Sequence, residues 1–284
     1  MFIIKHKKIF IGASIFLIAI SLFALFVFGL KVGIDFKGGA ITEVEYKTTV
    51  PSQEDLDAEF KKLDLGSVLL QPTGEKGYIV KSRDITEEEH ALIIKTLSFS
   101  GKNELTETNF NSIGPSVGKE LTRKAIIAVI LVSLAIIFFI AFAFRKVSDP
   151  VSSWRYGFIA IVTLLHDVII PVGLFVFLSR YYGAELDTLF VVAVLTILGL
   201  SVSDTIVIFD RIRENLNENI LNKKEVDFHK VVGKSLEQSY VRSISTSLTV
   251  ILVLLALFFF GPVSTKYFAL MLATGMFFGS YSSI

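Results

Sequence analysis

Residues 199–214 read Gly199-Leu200-Ser201-Val202-Ser203-Asp204-Thr205-Ile206-Val207-Ile208-Phe209-Asp210-Arg211-Ile212-Arg213-Glu214. The stretch decides the fold because it is the end of a long apolar run, holds one carboxylate inside that run, and closes on a charged cluster. Such a run reads as a membrane-crossing helix, and the charges mark where it leaves the bilayer. Asp204 precedes Asp210 by six residues, which at ~1.5 Å per residue puts it about 9 Å inside the surface. A carboxylate there costs roughly 2.5–3.5 kcal/mol on insertion scales. A buried partner, a water-filled cavity or a function that needs a titrating group must offset that cost.

Working outward, the composition supports a polytopic membrane protein. Of 284 residues 52% are hydrophobic, 26 of them Phe, while 28 basic and 27 acidic residues nearly cancel. The charges cluster between apolar runs at residues 9–30, 125–144, 156–178, 188–209, 243–260 and from 263 onward. Each is long enough to cross a bilayer, so six transmembrane helices are predicted. The first ends in Phe26-Val27-Phe28-Gly29-Leu30, too bulky for a signal-peptide cleavage site, and reads as an uncleaved helix. Basic residues alternate in density. Lys5, Lys7 and Lys8 precede the first run, and Arg145, Lys146 and Arg155 follow the second. Arg180 stands alone in the next connection, Lys223, Lys224, Lys230 and Lys234 crowd the one after, and Lys266 stands alone in the last. The positive-inside rule then places the N-terminus of this multi-pass membrane protein in the cytoplasm. With no Cys, disulfides, thiolate metal sites and Cys nucleophiles are excluded. Interleaved charges give no nucleic-acid surface, and no metal-ligand cluster stands out.

Three regions follow: residues 1–30, a cytoplasmic N-terminus and first helix; 31–123, an external, periplasmic domain; and 124–284, the remaining helices. The polar region reads as β-α-β-β-α-β, the order of a small ferredoxin-like α+β domain. Ile41, Val44 and Tyr46 lie in a strand-like run, and Pro51-Ser52-Gln53-Glu54-Asp55 opens a helix with Leu56, Phe60 and Leu63 on one face. Ser67 to Gln71 and Tyr78 to Ser82 read as strands joined by Pro72-Thr73-Gly74. Thr86-Glu87-Glu88-Glu89 is a capping signal for a helix running to about Phe99, and Glu104 to Phe110 reads as a last strand. Residues 211–237 read as one or two amphipathic cytoplasmic helices forming a connector. Gly38-Gly39 after Asp35 is a turn or bulge without phosphate-loop spacing. Gly275 and Gly279 form a small-xxx-small pair for close helix packing, and Pro171 is a candidate kink.

Around Asp204, Ser201 shares its helical face and Thr205 follows it. Arg242 opens the next span, with Ser245, Thr246 and Thr249 after it on one face. An Asp and an Arg on adjacent helices form either a static ion pair that fixes packing or a carboxylate that binds and releases protons beside a displaceable cation. His166 and Asp167 lie mid-span, nearly two turns deeper than Asp204 by counting. They read as packing or hydrogen-bonding residues, or as members of a relay that needs intervening groups. With no nucleotide-binding motif, energy, if used, comes from an ion gradient or from a partner.

Four stretches carry a resemblance: Val32-Gly33-Ile34-Asp35-Phe36-Lys37-Gly38-Gly39; Ile113-Gly114-Pro115-Ser116-Val117-Gly118; Leu200 through Glu214; and Arg242-Ser243-Ile244-Ser245-Thr246-Ser247. The closing Ser280-Tyr281-Ser282-Ser283 agrees. In order and over the whole chain, these resemble the SecF side of the SecD/SecF family of protein-export membrane subunits, of the resistance-nodulation-division type. In the family Asn is common where Ser203 stands, and further residues follow the position of Ile284. The resemblance implies an auxiliary, non-enzymatic subunit of the Sec translocase. It would pair with SecD and use the proton-motive force to promote late steps of preprotein export. SecYEG, SecA, YajC, YidC and the preprotein would be associates, protons the coupling ion, and no other cofactor would be needed. Asp204 would carry the proton, Arg242 would be its cationic partner, and SecD would supply a second Asp. Asp35, Gly38 and Gly39 would be the external signature turn. The competing readings are a half-transporter of that superfamily for lipids or drugs, and a non-conducting assembly subunit.

Overall fold

Long apolar runs become helices because a helix satisfies every backbone group within its own segment. The computed structural model describes residues 6–63, 65–66, 68–143, 153–221 and 227–284. Lys5, Ser67, Phe144, Arg145, Lys146, Lys223, Lys224 and the side chain of Arg155, used above, lie outside the described residues. In chain order the elements are α1 (Lys7–Phe28), α2 (Ile34–Lys37), β1 (Gly39–Tyr46), α3 (Gln53–Phe60), β2 (Leu69–Thr73), β3 (Gly77–Ser82), α4 (Glu87–Leu97), β4 (Leu105–Ile113), α5 (Pro115–Ala143), α6 (Ser153–Tyr182), α7 (Thr188–Leu221), α8 (Phe228–Phe260) and α9 (Lys266–Ser283). A single 3-10 turn, Val263–Thr265, precedes α9. The chain divides into two compact units, residues 32–126 and residues 1–31 with 127–284.

The smaller unit is an antiparallel sheet in the order β2-β3-β1-β4. Alternation along β1 turns Ala40, Thr42, Val44 and Tyr46 inward, where Val44 and Tyr46 join Leu56 and Phe60 of α3 and Ile93 and Leu97 of α4 in one core. The buried Tyr46 hydroxyl donates to the Leu97 carbonyl at 2.9 Å, and burial pushes its phenol well up. Ser52 caps α3 by accepting from the Asp55 amide. Thr86 and Glu89 form a complete capping box on α4. The Arg83 guanidinium and the Thr86 amide hold the Glu89 carboxyl below the usual carboxylate range. Three details differ from the sequence expectation. β2 runs through Pro72 and Thr73, with the turn at residues 74–76, because an edge strand tolerates proline. α4 stops at Leu97, since Phe99 and Ser100 turn left-handed at φ 50° and 59°. The short helix α2 was not anticipated. It brings the chain to Gly38 at φ +81°, where a Cβ would lie 2.9 Å from the Pro115 Cα. Gly118 closes the same contact, its would-be Cβ 3.0 Å from the Phe36 carbonyl oxygen. The paired glycines thus seat the first turn of α5 against the start of β1.

In the larger unit α6, α7 and α9 bury each other, while α1, α5 and α8 turn apolar side chains outward. Phe16, Phe23, Phe26, Phe138, Phe139, Leu252, Val253 and Phe260 are all exposed, which suits lipid rather than water. Among the described residues, five helices are long and apolar enough to cross a membrane: α1, α5, α6, α7 and α8. α9 has 18 residues and carries four polar side chains in its last turn. α5 and α7 outrun the apolar windows because a helix does not end where hydropathy does. Among the described residues, the connector at 211–237 is therefore the end of α7 and the start of α8, rather than separate helices. There Ile208, Ile212 and Leu216 pack on Val231 and Leu236, and Asn215 donates to both Ser235 and Gln238 at 2.8 Å. Pro171 sits inside α6 without ending it. A Cβ on Gly275 would lie 2.3 Å from Ile197, so α9 presses closely on α7.

Candidate functional site

The site is built from helix faces. Residues four apart lie one above another, so Ser235, Ser239, Ser243 and Ser247 form one stripe of α8, and all four are buried. Ser243 donates to Asp204 Oδ1 at 3.0 Å, and Ser280 of α9 donates to Oδ2 at 3.3 Å. Ser247 bonds Ser280 in turn, completing a run of hydroxyls to the carboxylate. Asp204 is half-buried. Next to it, Thr205 is buried and bonds Ser283 at 3.1 Å.

One turn earlier on α7, Ser201 donates to Asp167 of α6 at 2.5 Å, and Ser282 donates to the same oxygen at 2.8 Å. The other oxygen of Asp167 bonds His166 Nδ1 at 2.7 Å. Asp167 is fully buried, and so is His166. The two acids are closer in depth than counting along the chain suggested, since Asp167 accepts from Ser201, three residues before Asp204 on α7, about 4.5 Å of rise. The closing turn of α9 thus serves both. Ser280 reaches Asp204, Ser282 reaches Asp167, Ser283 reaches Thr205, and the ring of Tyr281 stacks on His166 at 6.0 Å.

Arg242 does not form the ion pair with Asp204 that the sequence suggested. Successive helical residues point about 100° apart, so turning Ser243 inward leaves Arg242 exposed. Its charge is still near enough to act on Asp204. Ser245, Thr246 and Thr249 share that exposed face. Thr246 donates to the Arg242 carbonyl and Thr249 to the Ser245 carbonyl, both at 2.9 Å within their own helix, and neither reaches an acid. Ser243, Ser247, Ser280 and Ser282 were missed by sequence reasoning as site residues. The four-residue spacing of serines through α8 was the available signal. Asp35, Gly38 and Gly39 belong to the other unit, where their setting is the turn described above.

The arrangement can hold one buried and one half-buried carboxylate with hydroxyl donors, and such carboxylates change charge without breaking any covalent bond other than O–H or N–H. Comparison with known proteins identifies the lineage. The description "Protein export membrane protein SecD/SecF, C-terminal" matches residues 93–284, and "SecD/SecF GG Motif" matches residues 23–50, which include Gly38 and Gly39. The chain belongs to the SecD/SecF family. Protein translocase subunit SecF of Thermobaculum terrenum is 40% identical over 99% of this chain and 90% of that protein. SecF of Anaerolinea thermophila is 36% identical over 99% and 90%. The crystal structure of SecDF, a translocon-associated membrane protein from Thermus thermophilus, superposes with a TM-score of 0.79 at 29% identity. That match covers 96% of this chain and 36% of that one, so the chain spans about a third of such a SecDF protein. Within the SecD/SecF family, then, the two hydroxyl-held acids sit in the part matched by the C-terminal description.

Proposed function

We propose that the chain is an auxiliary subunit of the Sec protein translocase that works with SecD and uses the proton-motive force to promote late steps of preprotein export. It acts as a coupling subunit rather than as an enzyme, with protons as the coupling ion and no other cofactor. It lies in the bacterial inner membrane with its N-terminus cytoplasmic, and associates with SecYEG, SecA, YajC and YidC. The observation that carries this reading is Asp204, an acid inside a membrane-crossing helix that bonds neutral hydroxyls alone. A proton crossing 100 mV releases roughly 2.3 kcal/mol, enough to bias a helix position held by two hydrogen bonds. Arg242, exposed beside the site, stands ready for a carboxylate supplied by SecD.

In this reading α9 is the sixth span. Its 18 residues rise about 27 Å, close to the hydrocarbon thickness. Because Ala269, Met271, Leu272, Gly275 and Met276 are buried in protein, α9 needs less apolar surface than a lipid-facing helix. Residues 32–126 form a ferredoxin-like domain on the periplasmic side. The test is export of a secreted precursor in cells depleted of the chromosomal copy and supplied with Asp204→Asn, with membrane level and co-purification with SecD measured in the same cells. Loss of export with both controls intact is expected. Normal export would instead favour a non-conducting assembly subunit.

A further inference from the structure

Asp167 and His166 are not needed to account for Asp204, and their chemistry is unusual for a membrane interior. With Asp167 ionised, Nδ1 of His166 carries the proton it shares with Oδ1. His166 Nε2 then bears a lone pair, and it is buried with no hydrogen-bond partner among the described residues. In that state the pair holds a net negative charge in a fully buried place, which is costly. One proton added at Nε2 gives an imidazolium beside a carboxylate, with no net charge. Asp167 is meanwhile held by Ser201 and Ser282, while Asp204 is held by Ser243 and Ser280. Ser280 and Ser282 are in one turn of α9, and Ser201 and Asp204 are in one turn of α7.

We propose that His166 and Asp167 form a second proton-binding station of this subunit, exchanging its proton with Asp204 through the serine hydroxyls at the end of α9 and on α7. The proposal rests on the proton-coupled reading above. In the exchange an O–H bond on Asp204 breaks, and each intervening hydroxyl or water accepts one proton and passes on another. The serines end on Asp167 Oδ2, so the last transfer, in which an N–H bond forms at His166 Nε2, is made by a water that reaches that nitrogen and is left neutral. No oxidant, reductant or other group takes part. The titratable or charged groups facing the pair are Tyr281 of α9, stacked on the imidazole, and Asp204 of α7, with Arg242 of α8 acting on Asp204. From α1 the Phe10 carbonyl accepts from the Tyr281 hydroxyl and the Ser14 hydroxyl donates to it, and neither titrates.

The deciding variant is His166→Asn. An asparagine amide can still donate to Asp167 in place of Nδ1, but it has no basic nitrogen in place of Nε2. The complex with SecD is reconstituted in liposomes, and proton flux is followed under an imposed pH gradient. A positioned proton-transfer group typically contributes about 10²–10⁴-fold, so flux about 10²-fold lower is expected, with assembly unchanged. Wild-type flux would overturn the proposal. Where His166→Asn does not assemble, infrared difference spectra of the complex decide. This subunit alone carries ring-labelled histidine, and His6, His90 and His229 are replaced by Gln. Imidazolium bands appearing as pH falls support the station, and their absence overturns it. Asp204→Asn run alongside separates the two claims. If it conducts normally, the proton-coupled reading falls. If it is inactive while His166→Asn conducts normally, only the second station falls.

Discussion

Asp167 and Asp204 lie on neighbouring helices, both accept from serines, and both share the closing turn of α9, yet their surroundings differ in kind. Asp167 is sealed, takes three donors, and has an imidazole for one of them. Asp204 is half-buried and takes two hydroxyls. A sealed carboxylate with three donors carries structural weight, because removing it strands them. A half-buried one with weakly held donors can gain a proton while its neighbours re-aim. Burial and donor count thus give different structural weight to two residues of the same chemical type.

The sharpest way to break that division is to delete each acid. Asp167→Ala strands the buried His166 and Ser201 and the half-buried Ser282 and should cost about 3–5 kcal/mol, the range for removing one partner of a buried charged pair. Asp204→Ala should cost within about 1 kcal/mol, because its hydroxyls can turn to their own helix carbonyls. Unfolding of the complex in mixed micelles of increasing SDS fraction measures both. Equal costs would erase the distinction. Next, Gly275→Val should push α9 off Ile197 and cost about 1–3 kcal/mol by overpacking. Because α9 serves both acids, it should lower proton flux and stability together, whereas a Cβ at Gly279 meets Ser201 only at 3.5 Å and Gly279→Ala should be tolerated. The hydroxyls test the same comparison one bond at a time. Ser282→Ala should cost about 1.5–3 kcal/mol, as for a hydrogen bond to a charged group, and Ser280→Ala about 0.5–1.5. A larger loss at Ser280 would reverse the roles assigned to the two acids.

Much of the fold was legible because its signals are local. Apolar runs announced the helices, Thr86 and Glu89 announced a capping box, and alternation at Val44 and Tyr46 announced β1. What escaped depended on facing. A helix position reads as polar or apolar from sequence, but which side it presents depends on partners far along the chain. Arg242 and Ser243 are adjacent, and the more charged of the two drew attention while the smaller one meets the acid. Ser280 and Ser282 likewise look like a polar helix end until α6 and α7 are in place beside them. The ends of α7 and α8 escaped because hydropathy marks the lipid boundary and not the helix boundary.

The continuity of α7 has a mechanical side. Its 34 residues run unbroken from Thr188 past Asp204 to Leu221, about 51 Å at 1.5 Å per residue. α8 is nearly as long, and the two are clamped together beyond the acid by Ile212, Leu216, Val231 and Leu236. A rod of that length has no joint at which to lose a tilt. A small swing at the carboxylate is therefore carried whole to the Asn215 end, as a tiller carries the hand's motion to the rudder.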